Sequence, residues 1–111
     1  MGKMQRRKGY EFERQITNWF RENGVWAERV PLSGGTSYAK GDVDIYLAGM
    51  EADPTVAELK VRKKGFTNLY EWLEEEGVEI LIIKQDRHTP LVVMPIEYFI
   101  ENWREEDETL D

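Results

Sequence analysis

Gly41-Asp42-Val43-Asp44-Ile45-Tyr46-Leu47, followed after a short interval by Val56-Ala57-Glu58-Leu59-Lys60-Val61, decides how this chain is read. Side chains alternate faces along a strand, so Val43, Ile45 and Leu47 point one way and Asp42, Asp44 and Tyr46 the other. The second stretch divides likewise. Ala57, Leu59 and Val61 form an apolar row, and Val56, Glu58, Lys60 and Arg62 share the opposite face. Pairing the two strands antiparallel therefore gathers carboxylates and a lysine on one side of a sheet.

Facing residues of an antiparallel ladder project to the same side, and Asp44 opposite Glu58 satisfies that parity. This register leaves residues 49–53 as the hairpin connection and Pro54 at a strand entrance, where its missing N–H matters least. It also sets Asp42 opposite Lys60. Facing Cβ atoms lie roughly 4.5–5.5 Å apart, so Asp44 and Glu58 could share a divalent cation at about 2.0–2.1 Å per oxygen for magnesium. Taken alone, Asp…Glu-x-Lys equally describes an exposed, salt-bridged hairpin that contributes little stability. The flanking sequence decides between them.

Upstream, Lys8-Gly9-Tyr10-Glu11-Phe12-Glu13-Arg14-Gln15-Ile16 opens a segment with Phe12, Ile16, Trp19 and Phe20 at helical spacing. Glu13 borders that apolar stripe and could reach toward the acidic pair; the plainer alternative is a partner for Arg14 or Lys8. Asn23-Gly24 is a helix-stop signal. A strand over 25–30 and a glycine-rich loop over 31–41 follow.

In this order the parts resemble the archaeal-type Holliday junction resolvases of the PD-(D/E)xK nuclease superfamily. That family's Lys-Gly-x-x-x-Glu-Arg helix start is matched by Lys8-Gly9 and Glu13-Arg14, and the arginine ending its first strand by Arg29. Its Ser-Gly loop is similar to Ser33-Gly34-Gly35, its motif aspartate to Asp44, and its Glu-x-Lys to Glu58 and Lys60. A basic run, Arg62-Lys63-Lys64, comes behind. The resemblance spans roughly residues 8 to 94, and its specificity lies in the ordered set. Two departures stand out. No proline precedes the aspartate, where Gly41 or Val43 stands instead, and two aspartates compete for the position. At about 3.3 Å per residue, Asp42 and Asp44 are too far apart to join Glu58 comfortably on one small ion. Asp44 is the expected ligand, leaving Asp42 to Lys60 or to a second ion.

The resemblance implies a restriction-endonuclease-like α/β fold, a mixed five-stranded sheet flanked by helices in the order α-β-β-β-α-β-β-α. It implies a metal-dependent endonuclease that resolves four-way DNA junctions as a twofold homodimer, with magnesium, or manganese in its place, and no nucleotide cofactor. Asp44, Glu58 and the Leu59 carbonyl would hold the ion, with Glu13 or Asp42 as further candidates; Glu13, Asp44, Glu58 and Lys60 form the expected catalytic set. Such an ion would polarise a phosphoryl oxygen and acidify a water, and Lys60 would stabilise developing charge. Other PD-(D/E)xK activities, restriction-like or repair, share these parts. A different class, a non-catalytic DNA-associated adaptor that binds a basic protein through its acidic end, predicts no dependence on divalent ions.

The chain has 111 residues and a formal charge of −7, which on its face disfavours a nucleic-acid partner. Its distribution answers the objection. Residues 1–31 carry seven basic and four acidic groups, 32–65 five of each, and 66–111 three against thirteen. Arg6, Arg7, Lys8, Arg14, Arg29, Lys40, Arg62, Lys63 and Lys64, with Ser33 from the loop, are the expected DNA contacts; these would hold the backbone without reading sequence. The length fits one nuclease domain over 1–111, with a basic arm at 1–7 and an acidic, fraying tail at 104–111. Cysteine is absent, which excludes thiolate sites and disulfides and agrees with the cytoplasm of a prokaryote or of a phage's host. Neither a membrane span nor a signal peptide is expected.

Further along, Thr67 is expected to cap a helix over 67–76 that carries Leu69, Trp72 and Leu73 inward and ends at Gly77. Residues 78–84 read as a buried central strand, 85–89 as a turn, 91–94 as another strand and 96–103 as a helix. Phe66, Tyr70 and Trp72 are candidates for core or for a dimer surface. His88 falls at a turn tip, a poor place for a general base.

Overall fold

A computed structural model describes residues 2–30 and 41–103, with side chains from Arg7 onward. Its elements run α1 (Gly2–Glu22), β1 (Ala27–Arg29), β2 (Val43–Ile45), β3 (Thr55–Ala57), α2 (Thr67–Leu73), β4 (Leu81–Ile83), β5 (Leu91–Val93) and α3 (Ile96–Trp103). The chain divides into two compact units, Met1–Val61 and Arg62–Asp111.

In the first unit α1 begins at Gly2, so the segment expected as a basic arm forms its opening turns. Lys, Met, Gln and Arg are good helix formers, and nothing in residues 3–8 breaks the run. The helix stops where Asn23-Gly24 predicts. Gly24 adopts φ +85°, the Val25 N–H returns to the Phe20 carbonyl at 2.9 Å, and the Gly24 N–H to Arg21 at 3.1 Å. This is a Schellman closure, in which Phe20 and Val25, both buried, supply the accompanying apolar contact. The closure turns the chain directly into β1, and α1 packs on β1 and β2. Ala27, Val43 and Ile45 form the sheet's buried row under α1, with Thr17 and Phe20 above. Thr17 is satisfied there by donating its hydroxyl to the Glu13 carbonyl at 2.7 Å.

The first sheet has the order β1-β2-β3, antiparallel throughout. Its register differs from the expected one by two residues: Asp44 faces Val56, not Glu58. The cause lies in the connection. The ladder stops at Ile45, the Tyr46 N–H bonds across to Trp26 just ahead of β1, and two successive tight turns close on Tyr46 and Gly49. Residues 46–54 are thereby all spent on the loop. A shift by an even number preserves the faces, so the acids still project together while their partners change.

The second unit holds α2, the β4-β5 hairpin and α3. Thr67 is the first helical residue of α2 rather than its cap; Phe66 occupies the cap position without a side-chain hydrogen bond. Residues 78–84 do not form a buried central strand, since only Leu81–Ile83 pairs, with β5, and Ile82 is 63% exposed. Tyr70 and Trp72 are exposed, so neither is core. Ile100 of α3 is buried, and Phe99 stacks on Trp103 at 5.8 Å. The described strands thus pair as a three-stranded and a two-stranded antiparallel sheet. A single five-stranded mixed sheet is not among their pairings.

Candidate metal and phosphate site

Gly41 and Asp42 set the geometry of the site. The Asp42 N–H bonds to the Ala57 carbonyl at 2.8 Å, while Ala57 is already the ladder partner of Val43. Two residues of one strand answering to one of the other is the count of a β-bulge, which re-aims the side chain beside it. Here that side chain is Asp42. Its Oδ2 accepts the Leu59 N–H at 2.7 Å, which brings the carboxylate against the centre of Glu58-Leu59-Lys60. Glu58 in turn pairs with Lys60 at 3.1 Å, both side chains being 57% exposed. An exposed pair of this kind adds little stability, so Glu58 is easily surrendered to another cation.

Asp44 lies elsewhere on the same face. Across β1 it faces Glu28, a residue to which the sequence reading gave no role. Continuing the alternation from β2 into β1 would have found it, because Ala27 and Arg29 take the buried side and leave Glu28 opposite. Tyr46 completes this cluster. Its hydroxyl is held above the ordinary tyrosine pKa by partial desolvation, then by the negative charge of Glu28 and of Asp44, with a hydrogen bond to Glu28 in addition.

Glu13 does not join either acid. It receives the Arg29 Nε–H at 3.2 Å, and the Arg29 guanidinium carbon lies over the Tyr10 ring 4.0 Å from its centroid. Arg29 shares the parity of Ala27 and pairs with Val43, which puts it on the α1 side of the sheet, away from Asp44. The helix-stripe position of Glu13 thus leads it to an arginine, neither Arg14 nor Lys8. Arg14 itself pairs with Glu11 at 3.1 Å on the exposed surface.

Arg7 and Lys8 line an open hollow together with Glu11, Phe12, Gln15 and Val61. Arg62, Lys63 and Lys64 are exposed and begin the second unit. Ser33, Lys40 and the tail at 104–111 lie outside the described residues, as does the side chain of Arg6. His88 sits at its turn, with Nδ1 3.0 Å from the Asp86 carbonyl.

Among the described residues no three acidic or histidine side chains converge as a cage for a metal. The donors beside Asp42 are two carboxylates and a backbone carbonyl, all hard oxygen. That suits magnesium or manganese, which commonly take one or two protein carboxylates and complete their shell with water and substrate phosphate. In kind these donors fit such an ion, and Asp42, Glu58 and the Leu59 carbonyl are the groups that would hold it.

The family model for archaeal Holliday junction resolvase (hjc) matches residues 4–104, nearly the whole chain. This chain belongs to the archaeal Holliday junction resolvase family. Family membership makes it a nuclease of the junction-resolving class, active in recombination or repair, with a fold of the PD-(D/E)xK type. Among curated proteins and among solved structures nothing matches it. Among the described residues no helix is long and apolar enough to cross a membrane.

Proposed function

We propose that this chain is a divalent-cation-dependent endonuclease that acts as a homodimer, making paired, symmetric cuts in four-way DNA junctions. The observation that carries the reading is the 2.7 Å contact from the Leu59 N–H to Asp42, which seats a carboxylate on the Glu-x-Lys segment of a resolvase-family chain. We assign Asp42 and Glu58 as the side-chain holders of the ion, with Asp44 one ladder step further along the face. A bound ion there supplies Lewis-acid polarisation of the scissile phosphate and acidification of a water.

The chain's own residues do the remainder. The Leu59 N–H fixes one oxygen of Asp42, and the other is the one assigned to the ion. Lys60 pairs with Glu58 at 3.1 Å and offers its other N–H donors to a phosphate oxygen or to the attacking water. Arg29, gripped by Glu13, and Arg7 and Lys8 at the hollow hold the backbone of the branched substrate. A four-way junction needs two cuts and each chain offers one such site, which is why two copies related by a twofold axis are assigned.

The test is incubation of a synthetic four-way junction with magnesium. Paired symmetric nicks that vanish in Asp42→Asn and Glu58→Gln are expected. Cutting of linear duplex at one sequence would move the assignment to a restriction-like or repair nuclease, and DNA binding with no divalent-ion dependence would leave an adaptor.

A further inference from the structure

We propose that Tyr10 is a positioning residue for phosphate recognition, acting through Arg29; the inference rests on the reading of Arg29 as a backbone contact. Three observations converge on the guanidinium. Its Nε–H is committed to Glu13 Oε1 at 3.2 Å, its Cζ lies over the Tyr10 ring 4.0 Å from the centroid, and its side chain is 35% exposed against 18% for Glu13. Among the described residues, none accepts from its two terminal nitrogens. Two neighbours therefore restrain one face and one edge of the fork, and the described residues leave open the edge that matches two phosphate oxygens.

Sequence spacing makes this possible. Tyr10 and Glu13 are three apart on α1 and so stand on one face of the helix, above the strand position of Arg29. A free arginine surrenders several rotamers when it grips a phosphate. One already clamped by a ring and a carboxylate has surrendered them on folding, and the gain appears as affinity. The ring contributes polarisable surface and its negative face, which a leucine of similar bulk lacks. Glu13 alone would hold the edge and leave the plane free to rotate about it. Tyr10 supplies the second constraint.

The experiment measures binding of a synthetic four-way junction to the full chain in EDTA, over a series of salt concentrations, for wild type, Tyr10→Leu, Tyr10→Phe, Arg29→Ala and Tyr10→Leu/Arg29→Ala. Tyr10→Leu is expected to weaken binding about three- to tenfold, Tyr10→Phe to restore it to within about twofold, and Arg29→Ala to lower the salt slope by about one. In the Arg29→Ala background, Tyr10→Leu should cost nothing further. The ¹⁵Nε resonance of Arg29 in the free wild-type protein, expected to exchange slowly, gives a readout that does not depend on Tyr10→Leu folding well. Undiminished binding by Tyr10→Leu, a penalty that persists without Arg29, or a freely averaging Arg29 side chain would each overturn the proposal. A wild type that binds junctions but never cuts them with magnesium overturns the nuclease reading and leaves this cycle interpretable; one that binds no junction overturns both.

Discussion

Gly41 meets two constraints at once. Its φ is +76°, and a Cβ there would collide with Val56 Cγ1 and lie 3.0 Å from the Ala57 carbonyl oxygen. Proline, fixed near φ −65°, cannot occupy such a position, which gives a physical reason for the missing proline ahead of Asp42. Gly41→Ala combines left-handed strain, about 1–3 kcal/mol, with overpacking against β3, about 1–3 kcal/mol. A loss of roughly 2–6 kcal/mol in urea unfolding is expected, and retention of full stability would contradict the close approach of Gly41 to β3. The two neighbouring aspartates should then separate by their effects. Asp42→Asn is expected to lower junction cleavage by at least about a hundredfold, because even the outer partners of metal ligands cost 10–100-fold. Asp44→Asn should lower it less. Tyr46 gives a third handle. Because its folded pKa is raised, its stabilising contribution is full below the unfolded tyrosine value and is lost as pH rises through the folded one. Wild type should therefore lose more stability than Tyr46→Phe on going above about pH 10, and parallel losses would contradict the assigned environment.

At the level of elements, the β1-β2 pair carries an electrostatic liability. Glu28 and Asp44 face each other across the ladder, and like charges so placed destabilise a sheet by about 0.2–1 kcal/mol. Glu28→Gln is expected to raise stability by that amount in metal-free buffer, measured by thermal unfolding; a drop would mean that the Glu28–Tyr46 hydrogen bond outweighs the repulsion. The same elements show what could be read in advance. The helix stop at Asn23-Gly24, the alternation of Val43 and Ile45 with Asp42 and Asp44, and the Glu58-Leu59-Lys60 segment were all legible, because each depends on local conformation or on parity. Register was not. It depends on how many residues the hairpin spends, and residues 46–54 take two tight turns that no single signal in Gly49-Met50-Glu51-Ala52-Asp53 announces. The bulge at Asp42 escaped for the same reason. Alternation could put Arg29 on the buried side with Ala27, but its pairing with Glu13 required knowing where along β1 the helix α1 lies, which only the packing of α1 on the sheet decides.

Across the whole molecule, charge is sorted along the chain. Basic groups dominate residues 1–31 and acidic ones residues 66–111, with seven against four in the former and three against thirteen in the latter. A net charge of −7 is therefore compatible with a DNA substrate as long as contact is made through the first unit. Junction affinity is expected to fall steeply with salt, and substitutions of Arg7 and Lys8 to flatten that dependence, whereas neutralising Glu71 of α2 should leave it unchanged. Divalent ions should also stabilise the folded chain, by about 2.7 kcal/mol at a hundred times the dissociation constant, since among the described residues Lys60 and one amide offset the carboxylates at the bulge.

The account stands or falls on which aspartate shares a cation with Glu58. Titration calorimetry of manganese into wild type, Asp42→Asn, Asp44→Asn and Glu58→Gln decides it most directly. Uptake by the wild type that is abolished in Asp42→Asn and Glu58→Gln and retained, if weakened, in Asp44→Asn is the expected result. Uptake that survives Asp42→Asn but is lost in Asp44→Asn would contradict it.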